Sequence, residues 1–200
     1  MPVDAATDFR ARLLDGLAES ISARGYRDST VADIVRNAKT SKRTFYDQFA
    51  TKEECFIELL RANNDALIAR IRDGVDPEDP WDRQIRCAVQ AYVAHIGARP
   101  AITLSWIREA PGLGAAAHPL HRLAMEHLTT MVIEITGNPG FQRAGLVPIS
   151  PAIALILLGG LRELTALMVE DNRAIEELTE PGIAAATALM AGSSTQHQAR

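Results

Sequence analysis

Arg36, Lys39, Lys42 and Arg43 set four positive charges within eight residues that contain no acid. Hydroxyls are interleaved at Thr40, Ser41 and Thr44, and Tyr46 comes next. Cations and hydroxyls this close together suit phosphate oxygens and the donor and acceptor edges of bases. The same run, RNAKTSKR, also suits an ordinary solvated helix face. Its meaning depends on the elements that carry it.

Those elements are legible in the spacing. Thr30 caps a short helix with Asp33 as its box partner, and Val31, Ile34, Val35 and Ala38 give it an apolar face. Ser41 then caps a second short helix carrying Thr44, Phe45 and Tyr46. Two short helices joined by a three-residue turn form a helix-turn-helix pattern. Ahead of it, Phe9, Leu13, Leu14, Leu17, Ala18 and Ile21 make one stripe of a helix over 7–24 that stops at Gly25. Arg10, Arg12, Asp15 and Glu19 fall on its wet face, and Phe45 and Phe49 are spaced to pack on its apolar one. Behind it, Thr51 and Glu54 fit a capping box that opens a helix running through Ile71. At ~1.5 Å per residue that helix is roughly 30 Å long. No linker lies between 49 and 73, so the first fifty residues are expected to be rigidly coupled to the remainder of the chain. The helix start at Lys52 adds a dipole and free amides that can hold a phosphate.

The rest of the chain predicts more helices, over 81–98, 100–110, 118–136, 151–170 and about 173–190, with 141–149 as a loop. From Ala152 to Leu161 the sequence is apolar all round, with Gly159 and Gly160 in the middle. Such a helix must bury two faces, one of them against another subunit. The ten-residue apolar run is too short for a bilayer. The N-terminus is acidic and polar, and Cys55 and Cys87 are expected to be free thiols in a reducing cytoplasm. The expectation is an all-α chain of about nine helices. A helix-turn-helix domain at 1–52 is joined through the long helix to a helical body at 53–192, with a disordered tail at 193–200. No nucleophile triad, nucleotide loop or paired-carboxylate pattern is present, which argues against an enzyme or a bound cofactor. His118 and His121 lack a nearby Cys or acid and do not make a metal site.

The 200 residues carry 47% hydrophobic residues, enough for a core, and a net charge of −4, which on average disfavours a nucleic-acid partner. The average divides, however. Residues 1–56 hold nine of the 21 basic and nine of the 25 acidic residues, so the whole −4 falls on 57–200.

The stretch GYRDSTVADIVRNAKTSKRTFYDQFATKEECFIELL resembles the N-terminal DNA-binding domain of TetR-family transcriptional regulators over residues 9–60. The likeness rests on Gly25-Tyr26, Thr30, Val31, Ile34, Ala38, Ser41, Thr44-Phe45-Tyr46, Phe49 and Lys52. The resemblance implies phosphate contacts from Thr30, Tyr46 and Lys52, with Ser41, Lys42, Arg43 and Thr44 facing the major groove beside Lys39 and Thr40. Lys39 and Arg43 stand where the family often has glycine. A left-handed Lys39 would cost ~1 kcal/mol, and Arg43 could read guanine. The family also implies a body that binds a small ligand and dimerises. Candidate pocket residues are Trp81, Tyr92, Trp106, Met125, Leu128 and Met131, with Thr103, Arg108 and His127 as polar contacts; ordinary core is the competing reading for each. Candidate dimer contacts are Ile153, Ile156, Leu157, Gly160, Leu164, Leu167, Ile183 and Thr187. The implied protein is a cytoplasmic homodimeric repressor. It binds a palindromic duplex operator and is released by a small hydrophobic effector, with no membrane partner. The alternatives are a helical enzyme or metal protein carrying a surface helix-turn-helix, and a regulator with no small-molecule effector.

Overall fold

A computed structural model describes the backbone of residues 3–198 and the side chains of 8–114 and 117–192. Among the described residues there is no strand. Ten α-helices succeed one another among these residues: α1 (Val3–Asp28), α2 (Val31–Asn37), α3 (Lys42–Gln48), α4 (Lys52–Gly74), α5 (Trp81–Ala98), α6 (Pro100–Arg108), α7 (His118–Thr136), α8 (Pro139–Arg143), α9 (Pro151–Glu170) and α10 (Thr179–Gln198). Two 3-10 segments, Ala110–Ala116 and Ile175–Leu178, precede α7 and α10. The chain divides into two compact units, Met1–Asn63 with Arg99–Leu120, and Asn64–Ala98 with His121–Arg200.

The first unit is built on α1. Its helical backbone breaks at Gly25, where φ is +79°, a conformation that costs glycine little. Leu13, Leu17 and Ile21 bury the α1 stripe against Ile34 of α2, Phe45 of α3, and Phe56 and Leu60 of α4. Phe45, Phe49 and Phe56 are all but fully buried, each burial contributing ~1.5–3 kcal/mol. Tyr26 stacks on Phe56 with ring centroids 3.8 Å apart. At Gly16 the α1 backbone meets α2 so closely that a β-carbon would lie 2.6 Å from the Ile34 carbonyl oxygen.

This unit is larger than the expected 1–52. It takes in the first part of α4 and also α6, whose Ile102 is buried in the α1 core with Trp106 packed beside it. The Asp15 carboxylate pairs with Arg99 at 3.0 Å. Thr103, Trp106 and Arg108, expected to line a pocket in the body, therefore belong to the N-terminal unit. Their helix turns its apolar side to α1, a choice the α6 sequence does not encode.

The second unit packs Ile71 of α4, Ile85, Val89 and Val93 of α5, Met131 and Ile135 of α7, Ala154 and Leu157 of α9, and Ile183 and Met190 of α10 into one core. The buried Gln84 is its polar anchor. Its amide donates to the carbonyls of Pro77 and Asp79 and accepts from Asn138. Helix α8 overlaps the start of the 141–149 span expected as loop, its short Pro139–Arg143 turn fixed by the Gly140 amide donating to Pro77 O. Ser150 caps α9, its side chain accepting from the Ile153 amide. The segment expected to be a disordered tail continues α10 to Gln198; the last two positions of that tail lie outside the described residues.

Over its 20 residues α9 is long and apolar enough, by length and composition, to cross a membrane, and a third of it is buried in this unit. Its buried face includes Ala154, Leu157, Ala166 and Met168. Leu155, Ile156, Gly159, Gly160 and Leu167 lie exposed. Leu157 and Ile183, expected at a subunit contact, are instead core residues, because both face inward. Ile153, Leu164 and Thr187 are half-buried.

Candidate nucleic-acid interface

The two short helices form as their caps require. Thr30 accepts from the Asp33 amide at 3.2 Å, while the Asp33 carboxylate takes both the Thr30 amide, at 3.1 Å, and its hydroxyl, at 2.6 Å. Arg36 adds a further bond to Asp33 at 2.5 Å and Arg24 lies 3.4 Å away. The Thr30 hydroxyl and then Arg36 hold the Asp33 carboxyl down at about 2. Arg36 is thus neutralised by an acid just outside the basic run. Lys39, Lys42 and Arg43 are exposed, with no ion pair to an acid among the described residues.

Ser41 caps α3 by accepting from the Thr44 amide at 3.1 Å, and the two hydroxyls lie 2.9 Å apart. Phe45 faces the core, its ring 5.4 Å from that of Tyr46, which is 58% exposed. One edge of α3 therefore presents Lys42, Arg43 and Tyr46 together, with Lys39 just before it. Lys39 has φ +50°, so the left-handed turn expected at that position is present without glycine.

Three cations hold these helices by their carbonyl ends, where the helix dipole favours positive charge. Arg10 donates to the Gln48 carbonyl at 2.9 Å, closing α3, with its guanidinium 4.3 Å from the Phe49 ring centroid. Arg12 donates to the carbonyls of Ala38 and Lys39 at the end of α2. Lys52 donates to the carbonyls of Tyr26, in the last turn of α1, and of Ser29, just beyond it, at 3.1 and 2.9 Å, and sits above the Tyr26 ring. The sequence pattern puts Arg10 and Arg12 on a wet face and gives no sign of these roles. No spacing rule marks a partner 26 or 38 residues away. The Lys52 ammonium, expected on a phosphate, is committed to protein carbonyls here. The Thr30 hydroxyl is likewise committed to Asp33. At the start of α4, Thr51 accepts from the Glu54 amide, and the Glu54 carboxylate takes the Ala50 amide at 2.7 Å.

The body holds an apolar chamber of ≈ 60 Å³, lined by Ile71, Ile85, Val89, Tyr92, Met131, Leu157, Met190 and their neighbours. Of the pocket candidates, Tyr92 and Met131 line it. Trp81 instead packs on Phe141, their centroids 6.2 Å apart. Met125 lines a groove with Pro151 and Leu155, His127 lines another with Asp65 and Arg72, and Leu128 is core. Thr165 donates to the Leu161 carbonyl, so the Tyr92 hydroxyl, 2.9 Å from Thr165 Oγ1, is the donor there. Burial pushes that phenol up to about 12.

A family model for "Bacterial regulatory proteins, tetR family" matches residues 13–59. The transcriptional repressor KstR2 of Mycobacterium tuberculosis is 45% identical over 67 residues, which is 34% of this chain and 34% of that protein. The matched stretch thus spans about a third of that relative. Over nearly the full chain the fold is similar to solved structures. Transcriptional regulator FadR of Bacillus subtilis, in complex with stearoyl-CoA, aligns at TM-score 0.74 and 16% identity, covering 91% of this chain and 98% of that one. A tetR-family transcriptional regulator of Streptomyces coelicolor aligns at TM-score 0.74 and 17% identity, covering 98% and 85%. The helix-turn-helix segment is thus similar to that of the tetR family of bacterial regulatory proteins, and the all-helical fold is similar to that of solved regulators.

Proposed function

We propose that the protein is a homodimeric DNA-binding transcriptional repressor that sets one α3 helix into each of two successive major grooves of a palindromic operator, ~34 Å apart. The observation that carries this reading is the edge of α3. Lys42, Arg43 and Tyr46 stand exposed on a helix whose two ends are fixed by Ser41 and Arg10. Positioning by the fold and contact by free side chains are what base reading needs. The test is selection of duplexes from a random pool by the purified chain. A two-fold symmetric sequence is expected; recovery of unenriched sequence overturns the reading.

The exposed apolar strip of α9, Leu155, Ile156, Gly159, Gly160 and Leu167, supports a second copy as its cover, since such a strip in water favours association. Ile156→Asp is expected to yield monomers in sedimentation, and a monomeric wild type overturns the dimer.

The chamber supports an effector with an alkyl chain, because its lining has no free polar group to satisfy a polar one. The FadR structure bound to stearoyl-CoA supports the same class. A long alkyl chain would bind by selecting a state in which the chamber is expanded. Helix α4 runs through both units, and coupling of ~1–3 kcal/mol along it would release DNA 5–150-fold. Stearoyl-CoA is expected to raise the melting temperature of the wild type but not of Val89→Phe, which fills the chamber. Equal shifts in both overturn the site.

A further inference from the structure

We propose that Arg12, a residue of α1 outside the helix-turn-helix, is the positioning residue of its turn and fixes the direction in which α3 leaves α2. This inference rests on α3 as the DNA-reading helix.

The turn contains an unfavourable conformation. Lys39 and Asn172 are the non-glycine residues with positive φ among the described residues. A β-carbon resists that region, where glycine enters freely. The amides of the turn close back onto α2, Lys39 N to Arg36 O at 3.2 Å and Thr40 N to Val35 O at 2.9 Å. Those bonds leave the carbonyls of Ala38 and Lys39 without an intrahelical donor.

Arg12 supplies it. A single nitrogen, Nη2, donates to Ala38 O at 2.6 Å and to Lys39 O at 3.0 Å. The guanidinium is oriented in turn by its own helix, with Nη1 3.7 Å from the Asp8 carboxylate and the carbon of the fork 5.3 Å from the Phe9 ring centroid. Two other contacts dock the end of α2 on α1, the Asn37 amide to Gly16 O and the close approach of Gly16 to Ile34. Both act on residues already helical. Arg12 binds the residue whose backbone dihedrals set where Thr40 and Ser41 go, and Ser41 begins α3. Removing its fork frees Lys39 to relax toward negative φ, which swings Lys42, Arg43 and Tyr46 together. Arg12 and Lys39 therefore form a coupled pair, the arginine holding a conformation that the lysine side chain opposes.

A double-mutant cycle tests this, with R12M (which keeps the aliphatic stem), K39G and the double variant. The probe is the duplex that the wild type selects from a random pool. R12M is expected to weaken binding to that duplex about tenfold, and by less than about threefold in the K39G background. The cation lost in K39G cancels across the cycle. The salt slope of R12M is expected to equal that of the wild type. In the free protein, exchange of the Lys39 and Thr40 amides is expected to rise about tenfold in R12M while the α1 core stays protected. Equal costs of R12M in both backgrounds, or unchanged exchange at these two amides, overturn the inference. A salt slope reduced by about one also overturns it, because Arg12 would then be a phosphate contact. Should the wild type select no duplex, the DNA reading fails by itself, and amide exchange across the same cycle still decides the role of Arg12.

Discussion

At the scale of single residues, the basic run separates into side chains that are committed and side chains that are free. Arg36 is spent on Asp33, whereas Arg43 projects from α3 unpaired among the described residues. Arg43→Ala is expected to change which base is preferred at one operator position, by about 1–3 kcal/mol. Tyr46→Phe should weaken binding to all duplexes alike. Affinity measured on a set of single-base operator variants separates the two, and a uniform loss in Arg43→Ala overturns its base-reading role. Asp33 makes a different prediction. Its pKa falls from the ordinary 3.8 to about 2 in the folded chain. Its network therefore stabilises fully above pH ~4, and that contribution is lost as pH falls through about 2. Denaturant midpoints of wild type and Asp33→Asn should differ at pH 7 and converge toward pH 2. The Thr30–Asp33 box was legible because a capping pair is local in sequence. The partners of Arg10, Arg12 and Lys52 were not, because they are carbonyls 23 to 38 residues distant.

At the scale of elements, the helix periods located nine of the ten helices among the described residues, and the caps at Thr30, Ser41 and Thr51 marked the starts of three of them. Helix α8 was hidden because its five residues are too few to show a period and are held by Gln84 and Pro77. What periodicity leaves open is which helices share a core, and α6 is the case in point. Its apolar residues fit a pocket lining as well as a packing face, and contact with α1 decided for packing. The crossing of α1 and α2 depends on one glycine. Gly16→Ala would press a β-carbon to within 2.6 Å of Ile34 O and 3.0 Å of the Ala38 amide. The helices must then separate, at an expected cost of ~1–3 kcal/mol. A calorimetric melt measures that loss, and an unchanged melting temperature would show that α2 yields freely.

At the scale of the whole molecule, the net charge of −4 conceals a basic patch on one helix edge. A dimer presenting Lys39, Lys42 and Arg43 twice offers six cations to phosphates and bases. With the two Arg43 side chains on bases and the four lysines on phosphates, its DNA affinity should fall roughly a hundredfold between about 50 and about 200 mM salt, despite the acidic average. Titrations at several salt concentrations check this, and a flat dependence would place the binding elsewhere. The amino-acid sequence determined the helices, their caps and the helix-turn-helix with its basic run, because helix period and capping are properties of residues three and four apart. Only the tertiary structure decided which cations remain free for DNA, that α6 joins the N-terminal unit, and that Tyr92 and Met131 meet in an apolar chamber while Trp106 does not. Those outcomes depend on which helix faces touch, and such contacts join residues far apart in the chain.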